Sequence, residues 1–259
     1  FESWFGIVAF QMQLYFDFVA YGDMAIGLAR MFGIRLPINF DRPLFATDRF
    51  DLWRRWHITF AIFMRTHVFQ PLVRRRRVSV VTALAITGIL SGLWHGLGWT
   101  FVVWGLMQTA ILLVVHERRR RNRRAGNPDG FGRWMAIALT FLSSALLGAM
   151  FRAPTLDSAA HVYGALLGLG ATWDISAIGR RGLMMLPLCM LVAWGLPNSA
   201  QFFGRYWNAL DLRPEPTPSP PHRLAGFRLT PVWALTTAAT LVLCLCLIDD
   251  ARRFVYVQF

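Results

Sequence analysis

The sequence predicts an all-α protein: a polytopic bundle of transmembrane helices, with an amphipathic helix at the membrane interface and a hairpin or re-entrant segment in the bundle. Three observations predict it. Hydrophobic residues make up 55% of the 259 residues and mean hydropathy is +0.41, which points to membrane rather than soluble domains. Residues 78–115 form one apolar run, roughly twice the ~20 residues that a single helix needs to cross a bilayer. The arginines gather where apolar runs end, at Arg74–Arg77 and at Arg118–Arg121 with Arg123 and Arg124, and clusters so placed mark the cytoplasmic side. The whole of 1–259 is expected to be one membrane domain. Its first residues, Phe1-Glu2-Ser3-Trp4, carry no basic leader, so the chain is expected to be a piece of a longer protein.

The first apolar segment, Phe5 to about Ile34, carries Gln13, Asp17 and Tyr21 at intervals of four. On a helix these three form one polar stripe, and Asp23 lies off it. Ionisable groups at membrane depth are costly, so Asp17 and Asp23 are either functional or hold neighbouring helices together.

Residues 35–77 are too polar to span and too aromatic for an ordinary loop. Phe50, Trp53, Trp56, Phe60 and Phe63 recur near helical spacing with Arg54, Arg55 and Arg65 between them, the pattern of a helix lying in the headgroup plane. His57 follows Trp56 there, as a site histidine or an interfacial side chain, and His67 carries no functional weight.

The run 78–115 reads as two spans, or a span and a re-entrant segment, joined at the glycines of Ser91-Gly92-Leu93-Trp94-His95-Gly96-Leu97-Gly98-Trp99. Broken backbone at membrane depth is tolerated only against protein or a water-filled cavity. His95 is therefore expected to face protein or a cavity. A regular hairpin puts it nearer the outer face and a re-entrant one deeper.

After a linker at 125–132 a span is expected from about Trp134 to Met150. Two weaker candidates follow at 158–173 and 182–196, with His161 expected to cap or to bridge helices. Residues 197–230, with Pro214-Glu215-Pro216-Thr217-Pro218-Ser219-Pro220-Pro221, are expected to form an extended loop. A last span is expected at 231–248.

Several chemistries are disfavoured. All 27 basic residues are arginine, which rules out a lysine Schiff base within this stretch. The formal charge of +13 sits at span ends and not along one helix face, so nucleic acid is not an expected partner. Cys189, Cys244 and Cys246 lie in apolar segments without metal-ligand spacing, so no metal site is expected. No G-x-S-x-G elbow occurs. A neutral imidazole in a water-poor tunnel can act as a general base on a hydroxyl attacking an acyl thioester, and arginines at the entrance can hold a coenzyme A donor's phosphates. The residues alone also leave proton or ion relay through Asp17, Tyr21 and His95, and haem ligation by two histidines, open.

The motifs themselves resemble a known family. Gln13-Leu14-Tyr15-Phe16-Asp17-Phe18 and Tyr21-Gly22-Asp23-Met24-Ala25-Ile26-Gly27, then Asn39-Phe40 with Pro43, Trp53-Arg54-Arg55-Trp56-His57-Ile58-Thr59 and Gly92-Leu93-Trp94-His95-Gly96, resemble in order the motifs of the membrane-bound O-acyltransferase (MBOAT) family, bacterial alginate O-acetyltransferase type. Phe151-Arg152-Ala153, Leu196-Pro197-Asn198-Ser199 and the closing Phe254–Phe259 resemble late elements of that group. Val19, Ala20 and Gly22 stand where its pattern has Ser, Gly and Ser, and Arg65-Thr66-His67 where it has Arg-Asp-Tyr.

The resemblance implies the C-terminal part of such a protein, without its N-terminal helices, in the bacterial inner membrane. It implies transfer of an acyl group, acetyl in the first instance, from a cytoplasmic thioester such as acetyl-CoA, with no resident cofactor. The acceptor is then an extracellular polysaccharide and a periplasmic acyltransferase a partner. It makes His95 the catalytic histidine and His57 the second tunnel histidine. Asp17, Tyr21, Asp23, Asn39, Arg54, Arg55, Trp56 and Trp94 become supporting residues. D-alanyl transfer to teichoic acid is the alternative within the family, and a non-catalytic transporter or export scaffold for the polysaccharide is the alternative outside it.

Overall fold

The computed structural model describes residues 2–74, 78–124, 132–169, 178–203 and 226–246, and every regular element among them is helical. Contacts divide the chain into two compact units, residues 1–194 and 195–259, and the candidate site lies wholly in the first. The Pro-rich run at 214–221, the linker at 125–131, Arg75–Arg77 and the closing Phe254–Phe259 lie outside the described residues.

The first unit begins with α1 (Glu2–Met31). It ends as helices with a glycine just past their last turn do: Gly33 takes a left-handed φ of 73° and Ile34 N–H donates back to Ala29 O at 2.8 Å, satisfying carbonyls that the helix leaves unpaired. A 3₁₀ turn at Pro43–Phe45 follows, then α2 (Arg49–Arg55), α3 (Ile58–Phe63), a π-helical turn (Met64–Phe69) and α4 (Gln70–Arg74). The expected interfacial helix is thus broken. Between α2 and α3 the helix breaks at Trp56-His57, where His57 is left-handed with φ 47° and ψ 51°.

Next comes a helical hairpin, α5 (Val80–His95) and α6 (Trp99–Arg124), joined through Gly96-Leu97-Gly98. Its seam is made of glycine. A Cβ on Gly92 would stand 2.0 Å from Phe101 O, and one on Gly105 2.1 Å from Gly88 O, so the two backbones touch as small residues allow in membrane helices. The unit closes with α7 (Arg133–Arg152), α8 (Leu156–Leu166) and α9 (Gly179–Gly195), the last with Pro187 inside it.

Two buried clusters hold these helices together. Ile7, Ala145, Ala149 and Leu166 join α1 to α7 and α8. Met12, Tyr15, Leu44 and Ala193 join α1 to the 3₁₀ turn and α9. Indole donors pin the same joints, Trp4 Nε1 to Leu166 O at 3.1 Å and Trp194 Nε1 to Leu44 O at 3.2 Å. In the second unit α10 (Ser199–Phe202) starts with a capping box. Asn198 Oδ1 accepts from Gln201 N while Gln201 Oε1 accepts from Asn198 N, which gives the Leu-Pro-Asn-Ser motif a structural use. α11 (Pro231–Cys246) is the last described element.

Among the described residues two helices can cross a membrane by length and composition, α6 over Trp99–Arg121 and α7 over Arg133–Arg152, while α5 and α11 are apolar but shorter. The chain is therefore all-α as the sequence predicts, with two clear spans where a polytopic bundle is expected. α1 has the length, but Gln11, Gln13, Asp17 and Asp23 interrupt it. The weaker candidate at 158–173 forms a helix only as far as Leu166. His161 faces Asp157 one turn back in α8 at 3.4 Å, both exposed, instead of capping: Thr155 is the cap.

Candidate active site

The site is assembled on the break between α2 and α3 and on the tip of the hairpin. At the break, α3 lacks a side-chain cap of its own, and its first amides find their partner elsewhere. Ile58 N–H donates to Asn39 O at 3.0 Å, and Thr59 N–H and Oγ1–H both donate to Asn39 Oδ1 at 3.0 Å. Asn39 thus caps α3 from a loop twenty residues back.

With Oδ1 so occupied, the orientation of the amide is fixed and Nδ2 points the other way, 3.4 Å from His57 Nδ1. An amide nitrogen only donates. His57 Nδ1 therefore accepts, and the neutral ring carries its proton on Nε2. Burial pushes this imidazole below its ordinary value, which favours the neutral form. Its left-handed backbone is a strained conformation for a residue with a Cβ, and such strain concentrates at functional sites.

His95 is the last residue of α5, and its ring is enclosed by aromatic side chains. Trp94 lies 4.8 Å away between ring centroids, Phe151 4.9 Å, Trp104 5.5 Å, Phe60 6.1 Å and Phe101 6.3 Å. The two histidines share a wall. Phe60 lies 5.0 Å and Trp94 6.0 Å from the His57 ring.

Alongside runs a cavity of about 610 Å³ between the α2–α3–π-turn strip and the α5–α6 hairpin. Arg54, Arg65 and Arg119 lie on its wall, as do Phe60, Ser91 and Trp104. Phe60 and Trp104 also pack on the His95 ring, so the cavity ends one side-chain layer from that imidazole. The rest of the wall is largely apolar, with Leu84, Met64, Phe69 and Leu112 among its residues.

The predicted site residues separate into groups. His57, His95, Asn39 and Trp94 come together. Trp56 backs them, 5.0 Å from Phe40, which in turn lies 6.3 Å from the His57 ring. Arg54 lines the cavity. Arg55 braces α2 instead, through Asp51 at 3.1 Å and the carbonyl of Asp41 at 3.4 Å. On α1 the polar stripe faces outward, with Gln13 and Tyr21 exposed and Asp17 half-buried and bonded to Gln13. Asp23 is half-buried as well. From α1, Phe18 meets the His57 ring at 6.4 Å.

Sequence reasoning passes over Phe18, Phe60, Phe101 and Trp104, because an aromatic wall has the same spelling as a lipid-facing stripe. It also passes over Arg49. This guanidinium is 5% exposed and donates to Gln108 Oε1 at 2.7 Å and Ser144 Oγ at 2.6 Å, tying α2 to α6 and α7. Burial pushes it down to about 9, still charged at neutral pH. Asp48 adds a second tie: it caps α2 through the amides of Phe50 and Asp51 and also takes Arg119 of α6. Among the described residues no three His, Cys, Asp or Glu side chains converge.

The chain is similar in sequence to known proteins. Over the whole chain it is 34% identical to the probable alginate O-acetylase AlgI of Pseudomonas putida, of which it covers 53%. It is 38% identical over 65% of its length to a peptidoglycan O-acetyltransferase of Helicobacter pylori, covering 32% of that protein. Over 45% of its length it is 31% identical to a teichoic acid D-alanyltransferase of Streptococcus thermophilus, covering 30% of it. The chain spans about half the length, or less, of these relatives. Residues 1–126, which hold Asn39, His57 and His95, match the membrane-bound O-acyltransferase family, and it is to this family that the chain belongs.

Proposed function

We propose that this chain is the acyl-transferring core of a membrane-embedded O-acyltransferase, moving an acetyl group from a cytoplasmic thioester to a hydroxyl of an extracellular polysaccharide. The observation that carries this reading is the cavity, whose wall holds arginines together with Phe60 and Trp104, which pack on the His95 ring.

A donor such as acetyl-CoA enters from the cytoplasmic side, where Arg118–Arg121 end α6. Its phosphates rest on Arg54 and Arg65 and its arm lies along the apolar wall. The acyl carbon then reaches the His95 ring. α5, with 16 residues, rises about 24 Å, short of the ~30 Å hydrocarbon core, which supports a position for His95 within the membrane, where the acceptor arrives from the far side.

His95 takes the proton of the acceptor hydroxyl as its oxygen attacks the thioester carbon. The carbon–sulfur bond breaks, the leaving thiolate recovers that proton, and the ester remains on the acceptor. His57, with its proton on Nε2, donates a hydrogen bond to the carbonyl oxygen as negative charge develops there. Asn39 holds His57 in that tautomer, Trp94 and Trp56 wall the site, and Asp17, Tyr21, Asp23 and Arg55 support the helices around it. No resident cofactor takes part. The setting is the bacterial inner membrane, crossed more than once, and a periplasmic acyltransferase completes delivery.

D-alanyl transfer from a carrier-protein thioester is the second reading, favoured by the likeness to a teichoic acid D-alanyltransferase. Membranes containing the protein, given labelled acetyl-CoA or a labelled D-alanyl carrier thioester, distinguish the two by which label reaches the envelope polymer. A His95→Gln protein present at normal levels should lose transfer by at least about a hundredfold. Full transfer by that variant overturns the catalytic reading, and loss of polymer export together with transfer favours a transporter or export scaffold.

A further inference from the structure

Ser91 stands out among the hydroxyls of the core helices. Its neighbours turn back onto their own helix: Thr87 to Ala83 O at 2.7 Å, Thr109 to Gly105 O at 3.0 Å, Thr140 to Ala136 O at 2.8 Å and Ser144 to Thr140 O at 2.9 Å. Ser91 does not. It is 7% exposed, its Oγ is buried without a hydrogen-bond partner among the described residues, and it lines the cavity. An unmet buried hydroxyl costs on the order of 1–3 kcal/mol, and carbonyl back-bonding would have relieved that cost locally.

We infer that Ser91 Oγ is a binding group for the arm of the thioester donor, accepting the N–H of the amide nearest the sulfur. This rests on the acyl-transfer reading. Ser91 and His95 are four residues apart on α5, hence on one face of the helix and offset by about 6 Å along its axis. Toward Ser91 the cavity continues to Leu84 and Arg119, the side from which the donor comes. A thioester whose acyl carbon is at His95 therefore has its next polar group at Ser91, because in a pantetheine arm only the sulfur and a two-carbon link separate that carbon from the first amide. Phe60 and Trp104 line the cavity with Ser91, and its other polar neighbours are engaged within the protein, Thr87 with Ala83 O, Thr109 with Gly105 O and Gln108 Oε1 with Arg49, so the Ser91 hydroxyl is the group left to recognise an amide-bearing donor.

The test is Ser91→Ala in membranes containing the protein, read as thiol release with acetyl-CoA, S-acetyl-N-acetylcysteamine and S-propyl thioacetate, which lacks the amide. The variant should raise KM for acetyl-CoA roughly five- to tenfold, one hydrogen bond's worth, with kcat within about twofold. It should lose kcat/KM similarly on the cysteamine donor, and hold its rate on the propyl donor. A fall in kcat at unchanged KM, an equal loss on both short donors, or no loss at all overturns the inference while acyl transfer stands. Wild-type membranes that release no thiol from acetyl-CoA overturn the transfer reading itself, and the role of Ser91 with it.

Discussion

Asn39 and His57 form a pair whose hydrogen-bond sense can be read without seeing a proton. Asn39 Oδ1 is occupied by Thr59 N and Oγ1, so the group 3.4 Å from His57 Nδ1 is the amide nitrogen. His57 must then carry its proton on Nε2, a donor to the site and not a base. In the proposed mechanism this separates the roles of the two histidines, and it makes the identity of residue 39 a control on pH dependence.

In the proposed mechanism the neutral form of His57 is the working one, and burial holds its imidazole below its ordinary value of 6.5. A lowered value means that the proton binds only at lower pH, so activity persists as pH falls through 6.5 and is lost beneath it. Asn39→Asp places a carboxylate at Nδ1. That favours the imidazolium, so the acid limb of kcat/KM should move up by about one unit or more. It also draws the proton to Nδ1, so kcat should fall. A pH–rate profile of the two proteins measures both, and an unmoved acid limb would falsify the tautomer assignment.

How much of this site the sequence reveals depends on residue type. His95 is legible because one imidazole inside an apolar run requires an explanation, and the glycines around it mark the hairpin. The break at Trp56-His57 is not legible, since Phe50, Trp53, Trp56, Phe60 and Phe63 keep helical spacing straight through it. The break is capped by Asn39, a tertiary contact no local periodicity carries. On α1 the aspartates draw notice because they are costly in a membrane, whereas Phe18, which meets the His57 ring, carries no such signal. Arg49 is lost among the other arginines, and only burial distinguishes it.

The hairpin seam predicts a sharp steric test. Gly92→Ala would set a methyl 2.0 Å from Phe101 O, a backbone atom that no side-chain rotation can move. The α5 and α6 backbones would have to part, at a cost of about 1–3 kcal/mol for overpacking, and His95 would shift with its helix end. Detergent-solubilised Gly92→Ala should unfold at lower temperature than wild type and transfer poorly. Gly6→Ala is the control, because a Cβ there meets nothing within 4 Å, and it should behave as wild type.

Arg49 offers a test of geometry over charge. Its guanidinium reaches Gln108 through Nε and Ser144 through an Nη, two acceptors on two helices that a fork can satisfy together. Lysine keeps the charge but presents it at one point. Arg49→Lys should therefore leave one acceptor unmet in a buried position, at about 1–3 kcal/mol. Thermal unfolding of the solubilised protein measures this. Wild-type stability in Arg49→Lys would show that charge alone suffices there.

The arginines on the cavity wall separate a donor bearing phosphates from one without them. Arg119 is pinned to Asp48, where it serves the joint between α2 and α6. Arg54 and Arg65 are exposed along the same wall, and in the proposed reading they meet the phosphates of acetyl-CoA. Arg54→Ala with Arg65→Ala should raise KM for acetyl-CoA about tenfold or more and leave kcat nearly unchanged, since the contact is made equally in the ground and transition states. The wild-type KM should rise with salt and that of the double variant much less, because screening acts on exposed charges. With S-acetyl-N-acetylcysteamine, which has no phosphate, the two proteins should be alike. Equal loss on both donors would mean that the arginines hold the wall and not the ligand, and the donor's entrance would have to be sought elsewhere on the hairpin.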